Sequence, residues 1–393
     1  MFEGKHILII VENLPVPFDR RVWQEANTLK DAGAKVSIIC PKMKGYNQSY
    51  ESINDIDIYR HPLPLEAKGA VGYLLEYSVA LFWEFFLSLK IFIKKRFQVI
   101  QGCNPPDLIF IVALVYKLFG VKFVFDHHDI NPELYIAKYN KKGLFYRFML
   151  LAERLTFKTA NYSIATNESY KEIAIARGKM SPEKVQVVRS GPKLDRLTPG
   201  DGNIIYKKGR KFLIGYVGVI GEQEGLDLLL ESAKIITEKR NDVQFAIIGD
   251  GTELATIKST TTEMGLQDFV DFYGRVDDRT MVEILNTADV CVNPDKPTEM
   301  NNLSTMNKIM EYMALKKPIV QFNLKEGKLS AQEASLYAEN TSTKDFADKI
   351  LWLLDHPAQR TGMGNFGYNR IIKDLSWEHE SEKLTKLYST IFK

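Results

Sequence analysis

Apolar and polar positions along this chain fall into alternating blocks. Residues 5–11, KHILIIV, carry an apolar run of strand length. A polar loop with two prolines, ENLPVPFD, follows it. In residues 20–33, RRVWQEANTLKDAG, Val22, Ala26 and Leu29 recur at helical spacing and Gly33 supplies the stop. A second apolar run occupies 35–40. Strand, helix and strand joined by short links make a βαβ unit, so a parallel sheet opens the chain. The pattern predicts further strands at 57–60, 99–101, 122–126, 162–165 and 185–189, with helices at 72–96 and 144–158.

Between residues 194 and 211 the chain turns polar, with Pro199, Gly200, Gly202 and several lysines, and a domain boundary is expected there. The alternation then restarts. Strands are predicted at 212–217, 244–248, 270–273, 290–292, 319–322 and 336–338. Helices are predicted at 226–237, 253–264, 280–286 and 343–354. The fold expected is α/β: two Rossmann-like, doubly wound parallel-sheet domains facing a cleft, the first at 1–195 and the second at 210–376. The amphipathic helix at 377–393 is expected to pack back on the first. Ligands in such sheets sit beyond the carboxyl ends of the strands, and the unusual loops of this sequence lie at those ends.

Composition narrows the function. The 393 residues are 45% hydrophobic with a formal net charge of +3, so the global basic field of a nucleic-acid binder is missing. Cys40, Cys103 and Cys291 lie far apart without metal-ligand spacing, which suits reduced, buried thiols in the cytoplasm. Lys5 and His6 interrupt the start, so no signal peptide is expected. Residues 71–93 are apolar but contain Glu76, Glu84 and Lys90, which argues against a spanning helix. Phe82, Trp83, Phe85, Phe86 and Phe92 precede or flank Lys90, Lys94, Lys95 and Arg96. Peripheral contact of 79–96 with an anionic membrane is the expectation, at the inner face of the cytoplasmic membrane; the plainer alternative is a helix packed into its domain.

Candidate chemistry concentrates in residues 302–320, NLSTMNKIMEYMALKKPIV, read as loop, helix and strand. Ser304 or Thr305 is the expected helix cap, and the amide groups of a helix start attract anions. Lys308 adds a full charge in the first turn, and Glu311 lies one turn deeper on the same side. The competing interpretation is an ordinary amphipathic helix with one exposed Lys–Glu pair. At the end of the 122–126 strand stand His127, His128 and Asp129. Arg20 and Arg21 open the first helix as contacts for a diphosphate or an anionic acceptor, or as a solvated pair. No GxGxxG follows the first strand, which argues against a dinucleotide oxidoreductase.

Five segments in order, ENLPVPFDRRVWQEA, FDHHDINPELY, YVGVIGEQEGLDLLL, IIGDGTEL and NKIMEYMALKKPIV, resemble the retaining glycosyltransferases of family 4, and most of all the bacterial branch that builds surface polysaccharides. The resemblance implies a GT-B fold and a nucleotide-sugar donor held mainly by the second domain. It also implies retained anomeric configuration, no metal and no cofactor. Glu311 matches the family's second motif glutamate, which binds the donor ribose. The first falls on Leu303, with Glu299, Asn301 or Asn302 as replacements. Lys308, Ser304 and Thr305 sit where the family meets the diphosphate. The glycine-rich loop is matched by 218–225, with Gly218 and Gly221. Its usual arginine falls on Val219 and its usual lysine on Glu224, so Arg189, Lys193 and Lys308 are candidates for the lost charge.

Gly249 and Arg275 end strands on the donor side, Arg275 where relatives read the base. His128 matches the histidine that touches the donor sugar, Asp129 follows it, and His127 is as good a candidate for orienting the loop. Asp55-Ile56-Asp57 spells the DxD of metal-dependent transferases of another fold and is discounted. The resemblance implies a UDP-linked donor, a saccharide or lipid-linked acceptor, and transfer in which the departing diphosphate takes the acceptor's proton. The alternatives are a non-catalytic nucleotide-binding partner subunit and a nucleotide-sugar 2-epimerase.

Overall fold

The structure, a computed structural model, describes residues 1–63 and 69–393. The chain forms two compact units: residues 1–190 with 379–393, and residues 191–378.

The first unit holds an eight-stranded sheet of β1 (His6–Ile10), β2 (Lys35–Pro41), β3 (Tyr50–Ile53), β4 (Ile56–His61), β5 (Val99–Cys103), β6 (Lys122–His127), β7 (Tyr162–Ala165) and β8 (Val185–Val187). Their order is β3-β4-β2-β1-β5-β6-β7-β8. All neighbours are parallel except β3 and β4. β1 is buried at every position because helices cover both faces of a parallel sheet. Its helices are α1 (Arg20–Asp31), α2 (Gly69–Lys94), α3 (Phe110–Lys117), α4 (Asn131–Tyr139), α5 (Leu144–Thr159) and α6 (Glu168–Ala176). The discounted Asp55-Ile56-Asp57 lies at the β3–β4 hairpin, with Asn54 and Asp55 at φ 51° and 61°. Asp57 is paired with Lys95 at 2.9 Å.

The second unit holds a six-stranded, wholly parallel sheet: β9 (Phe212–Val217), β10 (Val243–Ile248), β11 (Val270–Gly274), β12 (Val290–Asn293), β13 (Ile319–Phe322) and β14 (Ser335–Ala338), in the order β11-β10-β9-β12-β13-β14. Its helices are α7 (Leu226–Lys239), α8 (Leu254–Glu263), α9 (Asp278–Thr287), α10 (Glu299–Leu303), α11 (Asn307–Ala314), α12 (Lys325–Ala331), α13 (Thr343–Asp355) and α14 (Pro357–Arg370). The last helix, α15 (Trp377–Ile391), belongs from His379 onward to the first unit. There Tyr388 and Phe392 pack on Phe2 with ring centroids 6.4 and 5.4 Å away.

The expected linker at 194–211 is instead part of the second unit. Leu197 is fully buried beside Leu213, Ile284 and Leu285. Asn203 donates to Glu283 at 2.7 Å, and its backbone N–H donates to Thr287. The change of unit falls at Gly191.

Candidate functional site

In the first unit the strand order reverses between β1 and β5, which is where open α/β sheets leave a crevice at their carboxyl ends. The polar residues there form one buried network. Arg21, at the start of α1, is buried rather than solvated. Its guanidinium donates to Asp126 at 2.9 Å and to the Val188 carbonyl at 2.9 Å, and it lies 3.0 Å from His128 Nε2 and 3.0 Å from Glu25, one turn along α1. The solvated reading is therefore corrected for Arg21: burial and the pairing with Asp126 take its charge into the protein. Arg20 is exposed at the first position of α1.

His128 Nε2 also lies 2.8 Å from Asp126 Oδ2. One ring nitrogen holds either a proton or a lone pair. The shorter approach, to an anion, takes the proton, so Nε2–H donates to Asp126. Burial opposes charge on this imidazole, but the Asp126 carboxylate outweighs it and raises the His128 pKa. Burial also pushes Asp126 toward protonation, and it is overridden by Arg21 and His128, so Asp126 is held well below the usual range. Nδ1 of His128 has no hydrogen-bond partner among the described residues, and the ring is 11% exposed. Asn104 fixes the turn beneath it: its carbonyl oxygen accepts from the His128 and Asp129 amides at 2.7 and 3.1 Å. Asp129 is partly buried, which raises its pKa.

His127 plays another part. It is fully buried among Phe125, Phe157 and Tyr170. Burial, with Arg177 nearby, lowers its pKa to about 3, so the ring is neutral. Cys103, Asp126 and His128 bring three ligand-type atoms within 4.8 Å of one another. Arg21 already supplies the positive charge at that corner and contacts two of the three, so a cation there would meet a guanidinium.

The second unit reverses its strand order between β9 and β12. β9 leads into the loop from Gly218 and β12 into Asp295. A Cβ on Gly249, where φ is +143°, would stand 1.8 Å from the Gly218 carbonyl oxygen, so two strand-end turns touch through bare backbone. Gly221 lies against Glu224. Beside this loop Lys308 reaches Asp295 at 2.9 Å and lies 4.8 Å over the Tyr216 ring. Glu224 is half-buried in the same corner. Burial and then Asp295 raise its pKa, while Lys308 lowers it. The loop 218–225 itself carries Glu222 and Glu224 and no basic residue.

α11 starts after Met306, whose side chain makes no cap hydrogen bond. Ser304 and Thr305 thus precede the cap position, and the capping expected of them is corrected. The cause is a separate turn, α10, which Thr298 caps through the Asn301 amide. Asn301 donates to the Gln223 and Lys296 carbonyls at 2.9 Å each, tying the glycine loop to α10. The Asn302 oxygen accepts from the Lys325 amide at 2.8 Å. Of the candidates for the missing first glutamate, Glu299 alone is exposed.

Glu311 is ion-paired with Arg196, which also lies 3.3 Å from Asp278. Arg275 is exposed after β11, and Lys193 is partly exposed in this unit. Arg189 belongs to the first unit, where its amide donates to Glu380 at 2.9 Å. The residues missing from the sequence-based list are Asp126, Glu25, Gln101 and Asn104 in the first unit and Arg196 and Asp295 in the second. Arg21 and Glu25 at i,i+4, and a polar Gln101 inside an apolar strand, were the available signals.

Two family profiles match the chain. "Glycosyl transferase 4-like domain" matches residues 19–191 and "Glycosyl transferases group 1" matches residues 211–356. The chain belongs to the glycosyltransferases of this group. Its fold is GT-B. The capsular polysaccharide biosynthesis glycosyltransferase CapM of Staphylococcus aureus is 27% identical over 265 residues, 64% of this chain and 67% of CapM. A poly(ribitol-phosphate) alpha-N-acetylglucosaminyltransferase of the same species is 26% identical over 45% of this chain and only 35% of its own length. Among solved structures, sucrose-phosphate synthase from Thermosynechococcus elongatus matches with a TM-score of 0.84 and 18% identity over 99% of both chains. Anabaena HepE in complex with UDP and glucose matches at 0.75 and 13% identity over 98% of this chain and 100% of its own. At these identities the structural likeness is one of fold.

Proposed function

We propose that this glycosyltransferase moves a sugar from a nucleoside diphosphate, UDP for preference, to a saccharide acceptor in polysaccharide synthesis, with retention at the anomeric carbon and without a metal. The observation that carries the reading is the second unit's switch point. There a glycine-lined turn, Lys308 and the first turn of α11 converge, with Glu311 one turn along the same helix. Backbone amides and a lysine are what a leaving diphosphate needs. The complex of HepE with UDP and glucose supports the choice of base, and the role of CapM in capsular polysaccharide biosynthesis supports the pathway class.

In the reaction the bond from the anomeric carbon to the diphosphate oxygen breaks. The acceptor oxygen bonds to that carbon on the same face, and its proton passes to the departing phosphate oxygen. The protein's task is to stabilise charge and to place the acceptor. Lys308 serves the diphosphate and Glu311 the ribose. Nδ1 of His128, left open while Asp126 holds Nε2, serves a sugar hydroxyl. Release of nucleotide from a panel of nucleotide sugars, with saccharide acceptors and EDTA, tests this reading, and the anomeric proton coupling of the product reports stereochemistry. An inverted product, or activity abolished by EDTA and restored by a divalent metal, would overturn the corresponding part.

A second reading has its own support. Lys308 is already neutralised by Asp295, and Glu224 replaces a cation, as expected of a nucleotide-binding partner subunit that no longer turns over. Nucleotide binding without turnover across the panel would favour it.

The acceptor we propose is lipid-linked. α2 exposes Phe82 by 55%, Phe86 by 48% and Ile93 by 75%, while Phe92 turns inward onto Phe97 and Tyr116. Lys90, Lys94 and Arg96 are exposed beside them. Among the described residues no helix is long and apolar enough to cross a membrane. Flotation with anionic vesicles at low salt should carry the protein upward; absence of binding would remove this part of the proposal.

A further inference from the structure

Beneath His128 the hydrogen bonds form a directed chain that begins on the last helix. The Tyr388 hydroxyl donates to Gln101 Oε1 at 2.5 Å. With its oxygen so engaged, the Gln101 amide must turn its NH2 the other way. It donates there to Glu25 Oε2 at 2.6 Å and to Asp126 Oδ2 at 2.9 Å. Asp126 Oδ2 is the atom that receives Nε2–H of His128, and Asp126 Oδ1 is held by Arg21. Tyr388, Gln101, Glu25 and Asp126 are all buried, so water does not substitute for a lost partner.

We infer that Tyr388 is a positioning residue for His128: it sets the Gln101 amide, the amide sets Asp126, and Asp126 sets the imidazole. A primary amide is nearly symmetric in shape and polar only in sense. Without an anchor on its oxygen, Gln101 loses the constraint that keeps its NH2 on the two carboxyl groups. Asp126 Oδ2 then loses the amide donor that fixes it beside Nε2, while Arg21 still holds Oδ1, and the carboxylate can turn away from Nε2. Glu25 completes the set. Burial and the neighbouring Asp126 push it up, so it takes the proton and bonds to Asp126, leaving a single buried anion for Arg21 and His128 to share. The other titratable or charged groups around His128 are Asp19 at the α1 cap, Cys103 on β5, and Asp126 with His127 on β6. Tyr388 hydrogen-bonds to none of these four; its hydroxyl bonds to Gln101, so its hydrogen-bonded route to His128 runs through the amide.

This inference rests on the reading of His128 as a site residue only for its catalytic consequence. The test therefore has two readouts. Tyr388→Phe keeps the ring between Phe2 and Phe392 and removes one hydroxyl. In the full-length protein the His128 imidazole is titrated by NMR, assigned with His128→Gln. The midpoint should fall by about half a unit as Asp126 loosens. Sugar transfer should show kcat lowered about 5-fold with the donor KM unchanged, since one buried hydrogen bond is lost. Gln101→Met should reproduce the shift, and adding Tyr388→Phe to it should change nothing further. If Tyr388→Phe folds poorly, Gln101→Met alone decides. An unmoved His128 midpoint, or additive effects of the two substitutions, would overturn the proposal. A moved midpoint in a protein that transfers no sugar would keep the positioning role and sink the transferase reading instead.

Discussion

Glu84 offers the sharpest quantitative test of the fold. It sits on α2, fully buried, and neither carboxyl oxygen has a hydrogen-bond partner. Burial alone raises its pKa to about 8. A carboxyl raised in this way binds its proton more tightly in the folded chain than in the unfolded one. Its stabilising share is whole below the unfolded value near 4.3 and is lost as pH climbs through 8. At pH 7 wild type therefore forfeits about 3 kcal/mol relative to pH 4.5, at 1.36 kcal/mol per pH unit crossed.

Glu84→Met, similar in length and without charge, removes that pH-dependent loss. The first unit should gain about 3 kcal/mol at pH 7 relative to its advantage at pH 4.5. Urea titrations at the two pH values measure it. Trp23 and Trp83 report on the first unit, while Trp352 and Trp377 report on the second, so the two transitions are separable by single tryptophan replacement. Glu12, also raised to about 8 by burial and then Glu84, keeps its own share, and its value should fall when Glu84 is gone. An advantage of Glu84→Met that is equal at both pH values, or a variant less stable than wild type at pH 7, would refute the assignment of an isolated buried carboxyl.

Asp126→Asn should destabilise the first unit by about 3 kcal/mol at pH 7, since Arg21 is left buried with only Glu25 opposite. Asp126 is held low, so its contribution exists above the unfolded pKa and fades as pH falls through the folded one. The gap between variant and wild type in urea should therefore narrow in acid. Lys308→Met should weaken UDP binding about tenfold by calorimetry, the loss of one charge-assisted contact. His127→Phe should leave sugar transfer within about twofold and the melting temperature equal or higher, because the ring is neutral and its nitrogens lack hydrogen-bond partners.

Most strands were legible in the sequence because a parallel sheet buried on both faces writes itself as unbroken apolar runs such as HILII. What escaped were elements without such runs: the hairpin strand β3, with burial alternating down its length, and the short turn α10. The polar stretch at 194–211 imitated a linker because its anchors, Leu197 in the core with Leu194 and Tyr206 packed against it, Arg196 on Glu311 and Asn203 on Glu283, are scattered singly among polar residues and none stands out locally. The site shows the same division. His128 and Lys308 could be singled out as candidates from their positions at a strand end and a helix start. Their partners were not. Asp126 is 105 residues from Arg21, and Arg196 is 115 from Glu311, so spacing alone carries no trace of either pair.

Tyr388 and Phe392 close the first unit against Gln101 and Phe2, and this has a consequence for biosynthesis. The segment that completes the first-made half leaves the ribosome only after the entire second half has been translated. During elongation the second unit can reach its finished form while the earlier one waits with an uncovered seam along β5 and the amino terminus. A nascent chain arrested before residue 379 should therefore offer chaperones and proteases a lasting target in its oldest portion.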